Sequence, residues 1–266
     1  MKITQIRNAT ILVEVMVKGK AHGILVDPMF APKGAIPSLK YATKSRRKNP
    51  LVELPLNMDE LKKRVTCCLI THCQKGHFDH LDRAATKWLR DNNLPVYCST
   101  QDSEFLRKKG LEIHSLDPSL ENSFLSGSID LIPCLHGEGL IGKVMAHGYG
   151  YHIQLADEPS LYVTGDTILT NTVESFITRT QPDAVVLPAG GASFDLGGEI
   201  IMGLPEAIRI GGLAKGLVIT NHLEALDHCP VTRESIQSEV RLKGWGHRFF
   251  VPMDGESISF NQLDFQ

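Results

Sequence analysis

Between Leu69 and Asp82 the chain reads LITHCQKGHFDHLD, which sets His72, His77, Asp79 and His80 in close succession behind a short apolar run. Imidazole and carboxylate side chains together form the donor set that suits zinc, manganese or iron. His77, Asp79 and His80 lie too close together and are too polar to be three separate core residues, so the cluster points to a metal site. CLITH reads as a strand that delivers His72, and a helix is expected to begin near His80 to Asp82. The ligand-type residues then occupy a strand-to-helix loop, where side chains can converge on one point.

Three further positions share this placement. His136 ends IDLIPCLH, Asp166 ends LYVTGD and His222 ends GLVITNH. Each is a ligand-type residue at the C-terminal end of an apolar strand, where open sheets present their functional loops. Taken singly, each has a plainer explanation: Asp166 could cap the following segment TILTNTV, and His136 or His222 could be a buried, hydrogen-bonded histidine. Four strand ends with the same behaviour favour a shared site.

The elements that must carry these residues are visible as texture. Runs of strand length recur: ATILVEVMV, HGILVDPM, TCCLITH, LPVYCS, SIDLIPCLH, GYGYHIQLA, SLYVTGD, DAVVLPAGG, GLVITNH and RFFVPM. Many end in Gly, Asp, His or Pro. Helical periodicity marks MDELKKR, LDRAATKWLRD, QDSEFLRKKG, TNTVESFITRT, LPEAIRIGGLAKG and TRESIQSEVRLKG, some with a capping residue in front and Gly behind. Strands that come first as hairpins and later alternate with helices predict an α/β protein with helices covering sheets. No short-period repeat or low-complexity linker interrupts the sequence, so a single domain over 1–266 is expected.

Composition narrows the function classes. The 266 residues are 42% hydrophobic, enough for a sizeable core, and the formal net charge is -2. That near balance, with aromatics at 6%, gives no reason to expect nucleic acid or a membrane surface as partner. The opening MKITQIRNATILVEVMVKGKAHG alternates like a strand and resembles neither a secretory signal nor a membrane span, so a cytoplasmic protein is expected. On the same ground the sequon at Asn8 carries almost no weight. Cys67, Cys68, Cys73, Cys98, Cys134 and Cys229 sit mostly in apolar contexts and read as reduced core thiols. GEGLIG, Gly137 to Gly142, matches Gly-x-Gly-x-x-Gly but precedes strand-like sequence, so it reads as a turn beside His136 rather than a dinucleotide site. GGASFDLGG lacks the Gly-x-Ser-x-Gly spacing of a serine hydrolase.

Two segments carry alternative readings. Residues 30–55 are Pro-rich and hold Lys33, Lys40, Lys44, Arg46, Arg47 and Lys48 with no acid before Glu53. This stretch is either a solvated surface loop or a lid whose cations attract an anionic substrate or brace a subunit contact. In NHLEALDHCPVTRES, the residues Glu224, His228 and Arg233 serve either capping and salt bridging or, for His228 and Arg233, contact with substrate and with an anion. His22, His114, His147, His152 and His247 lack such company and read as structural or exposed.

The ordered set THCQKGHFDHLD, CLHGEG, YVTGDT and ITNHLEALDH, with IRNATILVEV and GILVDPM near the start, resembles the metallo-β-lactamase superfamily. The similarity is strongest to the branch containing ascorbate-6-phosphate lactonase, and it spans nearly the whole chain. It implies a four-layer αββα sandwich with a two-metal site at one edge of the sheets, small-molecule substrates and a homo-oligomer. By that resemblance His77 and His136 hold one metal, Asp79, His80 and His222 the second, and Asp166 bridges both. Zinc or manganese is expected, with iron as a further option. The family pattern His-x-His-x-Asp-His would place its first histidine at Lys75. Here His72 follows the strand directly, so CQKG reads as an insertion, with His72 as the favoured ligand. A site completed by water, or one involving Cys73, stands as an alternative, and Lys75 is a further substrate-contacting candidate. The chemistry implied is attack by a metal-activated water, oriented by Asp79, on an ester-like bond, above all a lactone and with an anionic or phosphorylated substrate as the weaker inference. A phosphodiesterase or nuclease using the same metals is the alternative enzyme, and a non-catalytic metal-binding or sensor protein the alternative from another class.

Overall fold

β1 (Lys2–Arg7), β2 (Thr10–Val17) and β3 (Lys20–Val26) form an antiparallel meander. β4 (Cys67–Ile70), β5 (Val96–Ser99) and β6 (Ile113–Leu116) extend it in parallel, and β14 (Ser257–Ser259) pairs with the outer edge of β1, giving the order β14-β1-β2-β3-β4-β5-β6. A second sheet has the order β13-β12-β11-β10-β9-β8-β7. Its strands are β7 (Asn122–Phe124), β8 (Gly127–Pro133), β9 (Tyr149–Gln154), β10 (Leu161–Val163), β11 (Ala184–Pro188), β12 (Leu217–Asn221) and β13 (Phe249–Phe250). The computed structural model describes residues 1–40, 46–74, 77–139, 142, 145, 148–195 and 197–260.

Alternation along the strands divides the core into three layers. Ile11, Val13 and Val15 of β2, with Ile24 and Val26 of β3, meet Tyr151, Ile153, Val163, Val186 and Ile219 between the two sheets. Leu12, Leu25, Cys68 and Ile70 point the other way, against α1 (Met58–Lys62), α2 (Arg83–Asp91) and α3 (Thr100–Arg107). On the far side Val185, Leu187 and Val218 pack under α4 (Asn171–Thr180), α5 (Leu204–Leu213) and α6 (Arg233–Leu242). The result is the expected αββα sandwich. Strands buried on both faces, such as AVVLP and LVITN, read as continuous apolar runs for that reason.

The helices follow their caps. Asp82 accepts from Ala85 N at 2.7 Å and starts α2, so the helix begins just behind the loop that carries His77, Asp79 and His80. Thr170 and Thr232 cap α4 and α6 in the same way, and each helix buries an i,i+4 pair, Val173 with Ile177 and Ile236 with Val240. Asp166 therefore does not cap the helix that follows it. None of the described helices is long and apolar enough to cross a membrane.

Candidate metal centre

The ends of β3, β4, β8, β10 and β12 lie at one rim of the sandwich and are followed by Asp27, His72, His136, Asp166 and His222. The two sheets are tied together there: the Tyr151 hydroxyl donates to Ile70 O at 2.7 Å, and Tyr149 N to Thr71 O at 3.2 Å. Asp27 and His222 have left-handed backbones, φ 45° and 56°. That conformation costs about 1–3 kcal/mol for residues other than glycine and is typical of functional sites. His222 is held in it by its N–H, which donates to Asn8 O at 2.9 Å.

Two groups of donor atoms result, each with its atoms within 4.8 Å of one another: His72, His77 and His136, and Asp79, His80, Asp166 and His222. All seven residues are buried. Asp166 stands between the groups. Its Oδ2 is 3.0 Å from His80 Nε2, 3.4 Å from His222 Nε2 and 3.8 Å from His136 Nε2.

Every imidazole is oriented through Nδ1. His136 donates to Ile200 O at 2.7 Å, His77 to Gln74 O at 2.5 Å and His80 to Asp27 Oδ2 at 2.9 Å. The Thr71 hydroxyl donates to Asp27 Oδ2 at 2.6 Å and accepts from His72 Nδ1 at 3.0 Å, while His222 Nδ1 lies 3.5 Å from Cys229 Sγ. Each ring thus turns Nε2 to the centre, the arrangement that fixes tautomer and direction in metal-ligating histidines. His72 Nε2 and His77 Nε2 are buried without a hydrogen-bond partner among the described residues. A buried orphan nitrogen is costly, and two of them facing one point fit a cation. The described part of CQKG supports this geometry: Cys73 packs into the apolar layer under α1–α3, where burial pushes its thiol well up, and the Gln74 carbonyl holds His77. Lys75 lies outside the described residues.

Charge separates the two groups. Burial, with repulsion from His80 and His77, lowers the His72 pKa well below the ordinary imidazole value, and burial brings His136 to about 4. Both imidazoles are therefore neutral, with lone pairs ready to coordinate. For His80, burial opposes the charged ring, but Asp166, Asp79 and Asp27 outweigh it and lift the pKa well above ordinary. His222 is raised in the same way, chiefly by Asp166 against burial. Burial alone would raise the carboxyls of Asp79 and Asp166, yet the neighbouring His80 and His222 hold both well below the ordinary range. At Cys229, His228 and His222 outweigh burial and bring the thiol to about 7.

A cavity of about 480 Å³ opens on this centre, lined by His77, Asp79, His136 and Asp166 on one side and by Ile36, Leu39, Phe78, Phe194 and Ile200 among its apolar residues. His228 also lines it, with its ring stacked 6.0 Å from Phe194. Arg233 does not reach it: its guanidinium donates to Pro252 O, Glu224 and Asp254. The described cations of segment 30–55 do not line it either. Lys33, Arg46, Arg47 and Lys48 are exposed, and Lys44 lies outside the described residues. Sequence reasoning missed Asp27, Thr71 and Asn8. Asn8 is fully buried, and its side-chain nitrogen lies 3.3 Å from His222 Nε2. GILVDPM, with an aspartate at a strand end, carried the same signal as the assigned ligands.

No protein-family model matches the chain. The UPF0173 protein YddR of Bacillus subtilis is 31% identical over 265 residues, covering 98% of this chain and 100% of that protein. A UPF0173 metal-dependent hydrolase of Alkaliphilus metalliredigens is 25% identical over 181 residues, 66% of this chain and 76% of the relative. Among solved structures, an isothiocyanate hydrolase from Delia radicum gut bacteria superposes with a TM-score of 0.85 at 30% identity, over 98% of this chain and 99% of that one. The metallo-β-lactamase fold protein YhfI of Bacillus subtilis, at 15% identity and a TM-score of 0.63 over 97% and 98% of the two chains, shares the fold.

Proposed function

Because the chain belongs to the UPF0173 family of metal-dependent hydrolases, we propose that it hydrolyses a small electrophile with an apolar substituent, an isothiocyanate above all. The observation that carries this reading is the largely apolar cavity opening directly on the donor groups. It agrees in character with the substrate named for the structural neighbour of 30% identity. Water adds to the central carbon of R–N=C=S, and cleavage of the C–N bond then yields the amine and carbonyl sulfide.

His72, His77 and His136 would hold one divalent cation and Asp79, His80 and His222 another, with Asp166 reaching both. Zinc suits the three-imidazole set; zinc, manganese or iron suits the mixed one. When bound, such cations acidify a coordinated water and polarise the electrophile. Asp79, ionised and facing the cavity, accepts a hydrogen bond from the attacking water and orients it. His228, on the cavity wall, donates an N–H to the departing nitrogen. Ile36, Leu39 and Phe194 exclude water from the substituent.

A lactone or other ester-like bond is the second reading, since its acyl carbon requires the same attack and its ring would rest on the same apolar wall. The described lining has no lysine or arginine to pair with a phosphate, which weighs against a phosphorylated substrate or a phosphodiester. The test is amine and carbonyl sulfide release from alkyl and aryl isothiocyanates by protein reconstituted with zinc, manganese or iron, beside a lactone panel. Turnover of isothiocyanates is expected; turnover of lactones alone would move the assignment to the second reading.

A further inference from the structure

Segment 30–55 is fastened to the body of the protein at three levels. At its base the buried Arg7 guanidinium donates to Met29 O at 2.7 Å, Ala31 O at 2.8 Å and Val52 O at 3.1 Å. At its neck Ile36 and Asn49 exchange two backbone hydrogen bonds of 2.7 Å, and Gly34 N donates to Pro50 O at 2.9 Å. Beyond the neck the fastening among the described residues is a single side chain. The Asp227 carboxylate accepts from the Ser38 hydroxyl, from Leu39 N at 3.1 Å, from Asn49 Nδ2 at 2.9 Å and from Arg47 N at 3.4 Å. Asp227 N in turn donates to Asn49 Oδ1 at 2.9 Å.

Two consequences follow from where this carboxylate stands. Ile36, Pro37, Ser38 and Leu39 line the cavity, and so does His228, the residue next to Asp227. Asp227 thus ties one cavity wall to the loop that carries another. Four donors also fill the acceptor capacity of a carboxylate, two on each oxygen, and an amide in its place would keep one acceptor and set an NH2 against donors.

We propose that Asp227 is a positioning residue for substrate selection: its carboxylate fixes Ile36 to Leu39 as the wall against which an apolar substituent of the substrate lies. The choice of substrate rests on the hydrolase reading above, whereas the clamp does not. Loss of the clamp leaves Arg7 and the neck in place, so the wall loosens without unfolding the segment. A long substituent that touches the wall loses affinity, and a short one that stops at the donor groups does not.

The experiment compares the full chain with Asp227→Ala and Asp227→Asn by hydrogen exchange and steady-state kinetics. The amides of Leu39 and Lys40 are expected to exchange about tenfold faster or more in both variants, while that of Ile36, held at the neck, and those of β2 and β11 exchange as in the wild type. KM for phenethyl isothiocyanate is expected to rise about tenfold with kcat within about twofold, and KM for methyl isothiocyanate to stay within about twofold. Ile36→Ala, which trims the wall but keeps the clamp, is expected to raise KM for the phenethyl substrate alone and to leave exchange in 36–40 unchanged. Unchanged exchange in the Asp227 variants, or equal losses on both substrates, overturns the proposal. If the wild type hydrolyses no isothiocyanate, the substrate reading falls, and the exchange result alone decides the clamp.

Discussion

Asp27→Asn perturbs both donor groups through one atom exchange. Asp27 is buried and accepts three hydrogen bonds: Thr71 N at 2.8 Å, the Thr71 hydroxyl at 2.6 Å and His80 Nδ1 at 2.9 Å. Asparagine retains one acceptor oxygen, so its NH2 must take the place of Oδ2, against the Thr71 hydroxyl and His80 Nδ1, or of Oδ1, against the Thr71 backbone N–H. In the first case the ring is driven to the tautomer with its proton on Nε2, the atom that points at Asp166, and the hydroxyl that accepts from His72 Nδ1 loses its own acceptor. In the second case the Thr71 N–H is left facing a donor. Either outcome removes at least one hydrogen bond to a charged acceptor, worth about 1.5–3 kcal/mol. Converted at about 1.4 kcal/mol per decade, that is about 10- to 100-fold in metal affinity, the range typical of groups that orient metal ligands. Chelator competition on metal-loaded protein measures it, with circular dichroism confirming the fold. Metal affinity within about twofold of wild type would refute the reasoning that Asp27 aims His80 and, through Thr71, His72.

Other expectations are independent of this one. His72→Ala should cost the chain one metal by elemental analysis if both donor groups fill, since it leaves only His77 and His136 beside the shared Asp166; full retention of two metals would remove His72 from the ligand set. At pH 7 His80 and His222 are protonated in the metal-free chain, whereas His136, at about 4, and His72 are neutral. Filling the mixed group should therefore release protons and strengthen as pH rises, whereas coordination by His72 and His136 should not; calorimetry in buffers of different ionisation enthalpy reads the release, and none on filling the mixed group would contradict the assignment. The same raised pKa values stabilise the metal-free fold below about pH 6.5, a contribution that fades as pH climbs through them, which a pH series of denaturant midpoints reads. Arg7→Met leaves the carbonyls of Met29, Ala31 and Val52 without donors and should lower stability by about 2–4 kcal/mol in urea unfolding.

The donor residues were legible because each interrupts a strong apolar pattern at a strand end. CLITH, LYVTGD and LVITNH all run buried until the ligand-type side chain, and helices such as LDRAATKWLRD announce themselves by cap and i,i+4 spacing. What escaped lacks local pattern. β6, β7 and β14 are short and partly polar, IHSL, NSF and SIS, and exist because a neighbouring strand offers pairing partners. Asn8 acquires meaning only through a residue far along the chain, His222, whereas Asp27 stands at a strand end as the ligands do and serves His80 from there. Segment 36–39 has no periodicity, so its place in the cavity wall depends on Asp227, a carboxylate that the sequence gives no reason to pair with it. The basic residues of that segment suggest an anionic ligand, yet among its described residues Ile36, Pro37, Ser38 and Leu39 are the ones that face the cavity.

Metal content and turnover rise and fall together if the two buried donor groups hold metals for hydrolysis of an apolar electrophile. Elemental analysis of the purified chain, paired with amine release from phenethyl isothiocyanate before and after chelation, tests it most directly. Two divalent ions per chain are expected, one for each donor group, with turnover lost on chelation and restored when metal returns. A single tightly held ion with no hydrolysis of isothiocyanates or lactones, or turnover indifferent to chelation, would contradict it.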